Sequence, residues 1–127
     1  MHIRLKIVEV RTRFYIERRI NDAGSLLMKD RPVFLSVSFG GERLMLSTGV
    51  KSDIQAWDPV QQRVKEAYPG SEPVNAWLQV LDETAGRTWR ELSSLGERPN
   101  KQQFKALFNQ LKPSYSSGFF DVFYRFM

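Results

Sequence analysis

The sequence has no cysteine and a single histidine, His2, among its 127 residues. Without cysteine the chain forms no disulfide, offers no thiolate to a metal and has no thiol nucleophile, a usage that fits a reducing compartment. One histidine beside the first methionine does not make a catalytic triad or a multi-histidine metal site. These absences disfavour an enzyme, and we expect no catalytic residue, no metal and no cofactor in this chain.

Long apolar runs are also missing. No stretch approaches the roughly 18 apolar residues of a transmembrane helix, and the chain does not open with the basic and apolar regions of a secretory signal. Hydrophobic residues make up 42% and charged residues 26%, which is typical of a globular domain with its own core. We therefore expect a cytoplasmic protein with no membrane partner.

Positive charge is concentrated at the start of the chain. The net charge is +5, and residues 1–20 contribute +4 of it, from six cations and two anions. Clustered Arg and Lys are typical of a surface that binds phosphates. Alternatively, the same charges solubilise an exposed strand and protect its edge from other chains.

Alternating apolar and polar residues predict three strands, over residues 3–19, 33–39 and 43–50. In the first strand the alternation changes face near Ile7 and Val8, which indicates a bulge or bend. Gly40-Gly41 predicts a tight hairpin between the other two. The face expected to be buried comprises Val33, Leu35, Val37, Phe39, Leu44 and Leu46. The face expected to meet solvent or a partner comprises Phe34, Ser36, Ser38, Arg43, Met45 and Ser47.

Apolar residues at three- and four-residue spacing predict a helix over 74–95, with Leu95 on its stripe, and a second helix over 101–112, capped by Asn100. Asp58-Pro59 has the residues of another helix start. A three-stranded sheet with one apolar face needs a cover. The sequence thus predicts an α+β fold, in which a three-stranded antiparallel sheet is followed by, and packed on, C-terminal helices. The three tryptophans are expected in the core: Trp57, Trp77 and Trp89.

The chain divides into three parts on these patterns. Residues 1–58 form the sheet, residues 59–112 form a helical segment that packs on it, and residues 113–127 are a polar linker followed by an aromatic-rich segment. Aromatic residues are unusual at a chain terminus. The final segment either packs back on the domain or opens a further domain that is absent here.

The order of these motifs resembles the N-terminal arm-type DNA-binding domain of tyrosine recombinases, especially integrases of mobile elements from Bacteroides-like bacteria. The likeness rests on the second strand with Arg43, on Ser47-Thr48-Gly49-Val50, on Trp57-Asp58 and on Asn75-Ala76-Trp77-Leu78. It continues to residues 119–127, which resemble the start of the core-binding, SAM-like domain. The chain departs from the family pattern in the long polar loop 20–31 and in the serines of strand two.

The resemblance implies a non-catalytic fragment of an integrase. In that family the sheet lies in the major groove of arm-type DNA sites, and strand exchange is carried out by a C-terminal domain with a His-x-x-Arg and a nucleophilic Tyr. Met1-His2-Ile3-Arg4 matches that motif by chance, since it has no such context. The implied partners are double-stranded DNA and other integrase subunits, with no small-molecule substrate.

Arginine is the preferred residue for DNA contacts, because it neutralises phosphates and forms paired hydrogen bonds to guanine. Aromatic rings can pack on sugars or thymine methyl groups, and hydroxyls can donate to phosphates. The candidate DNA-binding residues are Lys6, Arg11, Arg13, Tyr15, Arg18, Arg19, Ser36, Ser38, Arg43 and Ser47. Phe34 is either a further contact or buried under the long loop.

A different class of function remains open, a protein-interaction module that uses the sheet edge for strand addition or the aromatic C-terminal segment for docking. A small enzyme is disfavoured, because Asp82 and Glu83 are neighbours in sequence. On a helix they point in different directions and do not form the carboxylate pair of a hydrolase.

Overall fold

A computed structural model describes residues 10–96 and 98–113 of the chain. Three strands form one antiparallel sheet in chain order, and two helices follow them, so the predicted α+β fold is confirmed. The elements are β1 (Arg11–Ile16), β2 (Arg31–Phe39), β3 (Glu42–Ser52), a short 3-10 turn (Ile54–Ala56), β4 (Trp57–Asp58), β5 (Arg63–Val64), α1 (Ser71–Ser93) and α2 (Lys101–Leu111).

The β2–β3 hairpin forms where the glycine pair predicts it. Gly40 and Gly41 have φ angles of 52° and 80°, a region that residues with a side chain adopt only at a cost. The turn places Phe39 opposite Glu42, and the pairing continues to Phe34 opposite Ser47. This turn therefore sets which side chains of β2 and β3 share a face.

One face of the sheet is the floor of the core. Every expected apolar position of β2 and β3 is buried, together with Phe14 and Ile16 of β1. The helices cover this face, and Phe39 packs against Trp89 and Phe104 with ring centroids 5.0 and 5.3 Å apart. The expected core role of the tryptophans is confirmed, since Trp57 and Trp77 are buried and the half-buried Trp89 packs against the core.

A bulge in β3 joins the sheet to α1. Gly49 has a φ of 78°, and the Thr48 hydroxyl donates to Val33 O at 2.6 Å and accepts from Val50 N at 3.0 Å. The indole of Trp77 donates to Thr48 O at 2.8 Å. At this point three residues of β3 lie opposite one residue of β2, and these bonds satisfy backbone groups that the interrupted pairing would leave without partners.

The segment after Asp58 is a two-stranded ribbon, so the predicted helix start there is wrong. The Asp58 carboxylate does accept from the amides of Val60 and Gln61, at 2.9 and 3.1 Å. However, Gln62 has a φ of 57°, which reverses the chain, and β5 pairs back onto β4. The Asn75 side chain then bonds both backbone groups of Val64, at 2.9 and 2.8 Å.

The two long helices occur close to their predicted ranges. α1 begins three residues before the predicted start and ends at Ser93, so Leu95 lies beyond it and is 72% exposed, contrary to the predicted stripe. Asn100 caps α2 with Gln103 in a reciprocal capping box, as predicted for the cap residue. Phe104 and Phe108 of α2 are buried.

The polar loop between β1 and β2 has local order of its own. Ile20 and Leu26 form an isolated antiparallel bridge, and the Asn21 side chain accepts from the amides of Ala23 and Ser25, both at 3.0 Å. The predicted bend at Ile7 and Val8 lies outside the described residues, as do residues 114–127, which comprise most of the predicted polar linker and the whole aromatic-rich segment.

Candidate nucleic-acid interface

The face of the sheet opposite the helices is built from the alternate residues of the three strands. Strand alternation places these side chains on one surface, and the register joins them into cross-strand rows. The rows are Arg11–Ser38–Arg43, Arg13–Ser36–Met45 and Tyr15–Phe34–Ser47. We call these nine residues the open face.

Three arginines dominate one end of the open face, beside the β2–β3 hairpin. Arg11, Arg13 and Arg43 are all exposed. They surround an open groove of about 360 Å³ that is also lined by Ser36, Ser38, Thr12 and Gln62. The structure thus brings together three of the predicted DNA-binding arginines and two of the predicted serines.

Ser36 is the floor of this groove. Ser36 is only 6% exposed, and its hydroxyl accepts a hydrogen bond from Arg43 Nε at 3.1 Å. The expectation that Ser36 meets solvent is wrong, because its cross-strand neighbours are the long side chains of Arg13 and Met45. Ser38 is half-buried and Ser47 is exposed, as expected for this face.

An aromatic pair occupies the end of the open face that is farthest from the hairpin. The rings of Tyr15 and Phe34 are 6.2 Å apart at an angle of 36°, and the Tyr15 hydroxyl donates to Met45 Sδ at 2.7 Å. Tyr15 and Phe34 are half-buried, whereas Met45 is exposed. This cluster is an apolar surface directly beside the arginines.

The remaining predicted cations lie elsewhere. Arg18 and Arg19 follow the end of β1, on the order of 20 Å from Arg11 along the strand direction. Arg19 Nε lies 3.3 Å from Glu17 Oε1, and Arg31 contacts the same oxygen. Lys6 lies outside the described residues. The structure therefore does not bring Arg18 and Arg19 to the groove.

None of the nine residues of the open face is acidic. Glu42, which precedes Arg43, lines an open groove at the hairpin with Arg11 and Arg43, and its Oε2 accepts from Lys101 N of α2 at 3.3 Å. Arg11 and Arg13 make no side-chain hydrogen bond or ion pair within the described ranges. Arg11, Arg13 and Arg43 form no ion pair with any described residue, and a cluster of such guanidinium groups attracts anions.

Arg63 differs from the arginines of the groove because its side chain is already bonded within the fold. Arg63 lies 5.1 Å from the centre of the Phe14 ring, and its two terminal nitrogens donate to Gln62 O and Gln79 Oε1 at 2.8 and 2.9 Å. These bonds make Arg63 a structural residue that joins the β4–β5 ribbon to β1 and α1.

Sequence reasoning missed the residues that close the groove at β1. Gln62 Oε1 accepts from Phe14 N at 2.8 Å, and the Thr12 hydroxyl donates to Asp82 Oδ1 at 2.6 Å. Nothing in the sequence indicates this role for Gln62, because Asp58-Pro59 predicts a helix there and not a ribbon beside β1. Its bond occupies part of the β1 edge, one of the two edges available for strand addition.

Most residues that carry the family resemblance have packing roles here. Thr48 and Gly49 form the β3 bulge, Trp77 bonds across it, and Asn75 holds β5. Trp57 is buried and Asp58 caps the ribbon turn. These motifs therefore account for the fold, while the candidate site depends on the arginines of the open face.

Comparisons of the chain with protein-family models, with curated proteins and with solved structures return no match. Across the described ranges no three His, Cys, Asp or Glu residues are grouped to hold a metal ion. Neither helix in that part of the chain has both the length and the apolar character needed to span a bilayer. The geometry of the open face is thus the main guide to function.

Proposed function

We propose that the open face binds double-stranded DNA in the major groove. The observation that carries this proposal is the arginine groove, which Arg11, Arg13 and Arg43 line together and in which all three are exposed. Phosphate contacts from such groups supply most of the affinity of DNA-binding proteins. The function is therefore binding, and this chain breaks no bond.

The width of the sheet is compatible with that groove. Neighbouring strands lie about 4.8 Å apart, so the outer two strands of a three-stranded sheet are roughly 10 Å apart. The major groove of B-DNA is about 12 Å wide and admits an α-helix or a β-ribbon. The helices lie behind the sheet, where they do not obstruct the approach of a duplex.

The side chains suit two kinds of contact. Arginine binds a phosphate or the acceptor edge of guanine through paired donors. Tyr15, Phe34 and Met45 provide an apolar surface for sugars or thymine methyl groups, the non-polar features that a duplex presents. Ser38 adds a hydroxyl to the row of Arg11 and Arg43, and Ser47 adds one to the row of Tyr15 and Phe34.

In the wider proposal, the chain is the arm-binding domain of a cytoplasmic tyrosine recombinase of a mobile element. DNA binding by this domain would support site-specific recombination carried out by a C-terminal domain, in a complex with other integrase subunits. The order of sequence motifs supports this assignment, and the arginine groove supports the DNA contact independently of it.

The test is a fluorescence-anisotropy titration of a labelled 20-base-pair duplex at salt concentrations from 50 to 200 mM. Three phosphate contacts predict a log–log slope near −2.7, which is about a 40-fold loss of affinity over that range. The triple variant Arg11→Glu, Arg13→Glu, Arg43→Glu should abolish this binding while circular dichroism and thermal unfolding show an intact fold.

A matched control carries the same change in charge on the helical side. Arg87, Arg90 and Lys105 are exposed on α1 and α2, so Arg87→Glu, Arg90→Glu, Lys105→Glu alters net charge equally without touching the open face. We expect the control to retain the salt slope of the wild type. Equal losses in the two triple variants would show that only net charge matters and would refute the proposed interface.

A further inference from the structure

One hydrogen bond distinguishes Arg43 from the other two arginines of the groove. Its Nε donates to the buried hydroxyl of Ser36, whereas Arg11 and Arg13 have no side-chain partner among the described residues. The register places Ser38, and not Ser36, directly opposite Arg43. The guanidinium therefore leans diagonally across the sheet, toward the centre of the open face.

The geometry points to different contacts for the three arginines, an inference that rests on the proposed DNA binding. We infer that Ser36 is a positioning residue that holds the guanidinium of Arg43 for paired hydrogen bonds to a guanine, while Arg11 and Arg13 contact phosphates. With Nε engaged by Ser36, the two terminal nitrogens of Arg43 remain as donors. Paired donors match the O6 and N7 acceptors of guanine in the major groove.

The hydrogen bond to Ser36 matters because a contact to a base depends more strongly on the orientation of the guanidinium than a contact to a phosphate does. A phosphate attracts a guanidinium from many directions, and its contacts carry no direct sequence information. A base edge accepts the paired bonds in one plane. A side chain held by a buried hydroxyl loses less rotamer freedom on binding than a free one. Arg43 meets that requirement, and the unanchored Arg11 and Arg13 suit the backbone.

The test begins with the wild-type chain and a duplex pool with a randomised centre. Selected duplexes should contain a guanine whose replacement by adenine weakens binding by about 5- to 150-fold, the range expected for one good paired contact. Ser36→Ala should reduce that discrimination at least several-fold while leaving the salt slope unchanged. Ser93→Ala is the control for the substitution, since Ser93 is an exposed serine of α1 outside the open face, and it should discriminate as the wild type does.

Two further measurements test the role of Ser36 without relying only on the binding of Ser36→Ala, a variant at a buried position. Arg43→Lys changes an exposed side chain, keeps the charge and removes the Nε donor, so it should lose discrimination and retain the salt slope. In the free protein, the NMR signal of the Arg43 Nε–H should show slowed exchange that Ser36→Ala abolishes. Slow exchange that persists in Ser36→Ala would overturn the positioning role.

The outcomes separate the two proposals. Absence of salt-dependent binding by the wild type would refute DNA binding itself, before any variant is compared. Salt-dependent binding with no selected guanine, or with equal discrimination by the wild type and Ser36→Ala, would refute the role of Ser36 and leave DNA binding standing.

Discussion

The two faces of the three-stranded sheet have opposite chemistry, although alternate residues of the same strands supply both. The covered face is apolar and its polar groups are paired, as the bonds of Thr48 show. The open face has three exposed arginines, two of them without a partner in the described part of the chain. Side chains that stabilise the fold are thus separated from side chains that are free to bind a ligand. Substitutions on one face should change stability, and those on the other should change binding.

The largest effect is expected from Phe104→Ala on the covered side. Phe104 is fully buried and stacks on Phe39 and Phe108, and removal of a buried phenylalanine costs about 3–5 kcal/mol. Urea unfolding measures this loss. The neighbouring exposed residue provides the control, since Lys105→Ala should change stability by less than about 0.5 kcal/mol.

Asn75→Ala should cost about 2 kcal/mol, because it leaves an amide and a carbonyl of the half-buried ribbon without their partners. The exposed Gln110 of α2, whose side chain has no hydrogen bond among the described residues, is the control, and its replacement by alanine should cost little. DNA affinity per folded molecule should not change in Asn75→Ala. A selective loss of DNA binding at full stability would contradict the structural role assigned to this motif residue.

Gly49→Ala should destabilise the chain by about 1–2 kcal/mol, since a side chain at a φ of 78° is strained. Thermal unfolding at several urea concentrations detects a change of this size. Lys51→Ala, two residues further along β3, is the control and should be near neutral. An equal loss in both variants would argue against strain at the bulge as the cause.

The smallest effect concerns binding. Arg18→Glu with Arg19→Glu should weaken DNA affinity only several-fold at low salt, because these residues lie beyond β1 and Arg19 is paired with Glu17. The difference should fade near 0.15 M salt, where the screening length is about 8 Å. Anisotropy titrations at two salt concentrations check this. A loss as large as that of the Arg11, Arg13, Arg43 triple variant would extend the interface past the open face.

The sequence predicts the sheet well because its signals are local. Alternation and the glycine pair determine the faces of β2 and β3, and Asn100 supplies its own cap. The helix start predicted at Asp58 is wrong, because a carboxylate that caps a turn has the same sequence signature as one that caps a helix. Only the reversal at Gln62 and the bonds from Asn75, which are tertiary, distinguish the two.

The candidate site was predictable in part. The arginines of β1 and β3 lie on the expected face because strand phase is readable from neighbouring apolar residues. The burial of Ser36 and its bond to Arg43 were not, because both depend on side chains contributed by three strands. The separation of Arg18 and Arg19 from the groove was also not predictable. Counting charges along a segment does not reveal where the strand ends.

The most direct measurement is an NMR titration of the isotope-labelled chain with an unlabelled duplex. Our account predicts that the largest shifts fall on open-face residues, led by Arg11, Arg13, Ser38 and Arg43, with small shifts on the exposed sides of α1 and α2. Shifts concentrated on the helices, or no shifts at low salt, would contradict the claim that this face binds DNA.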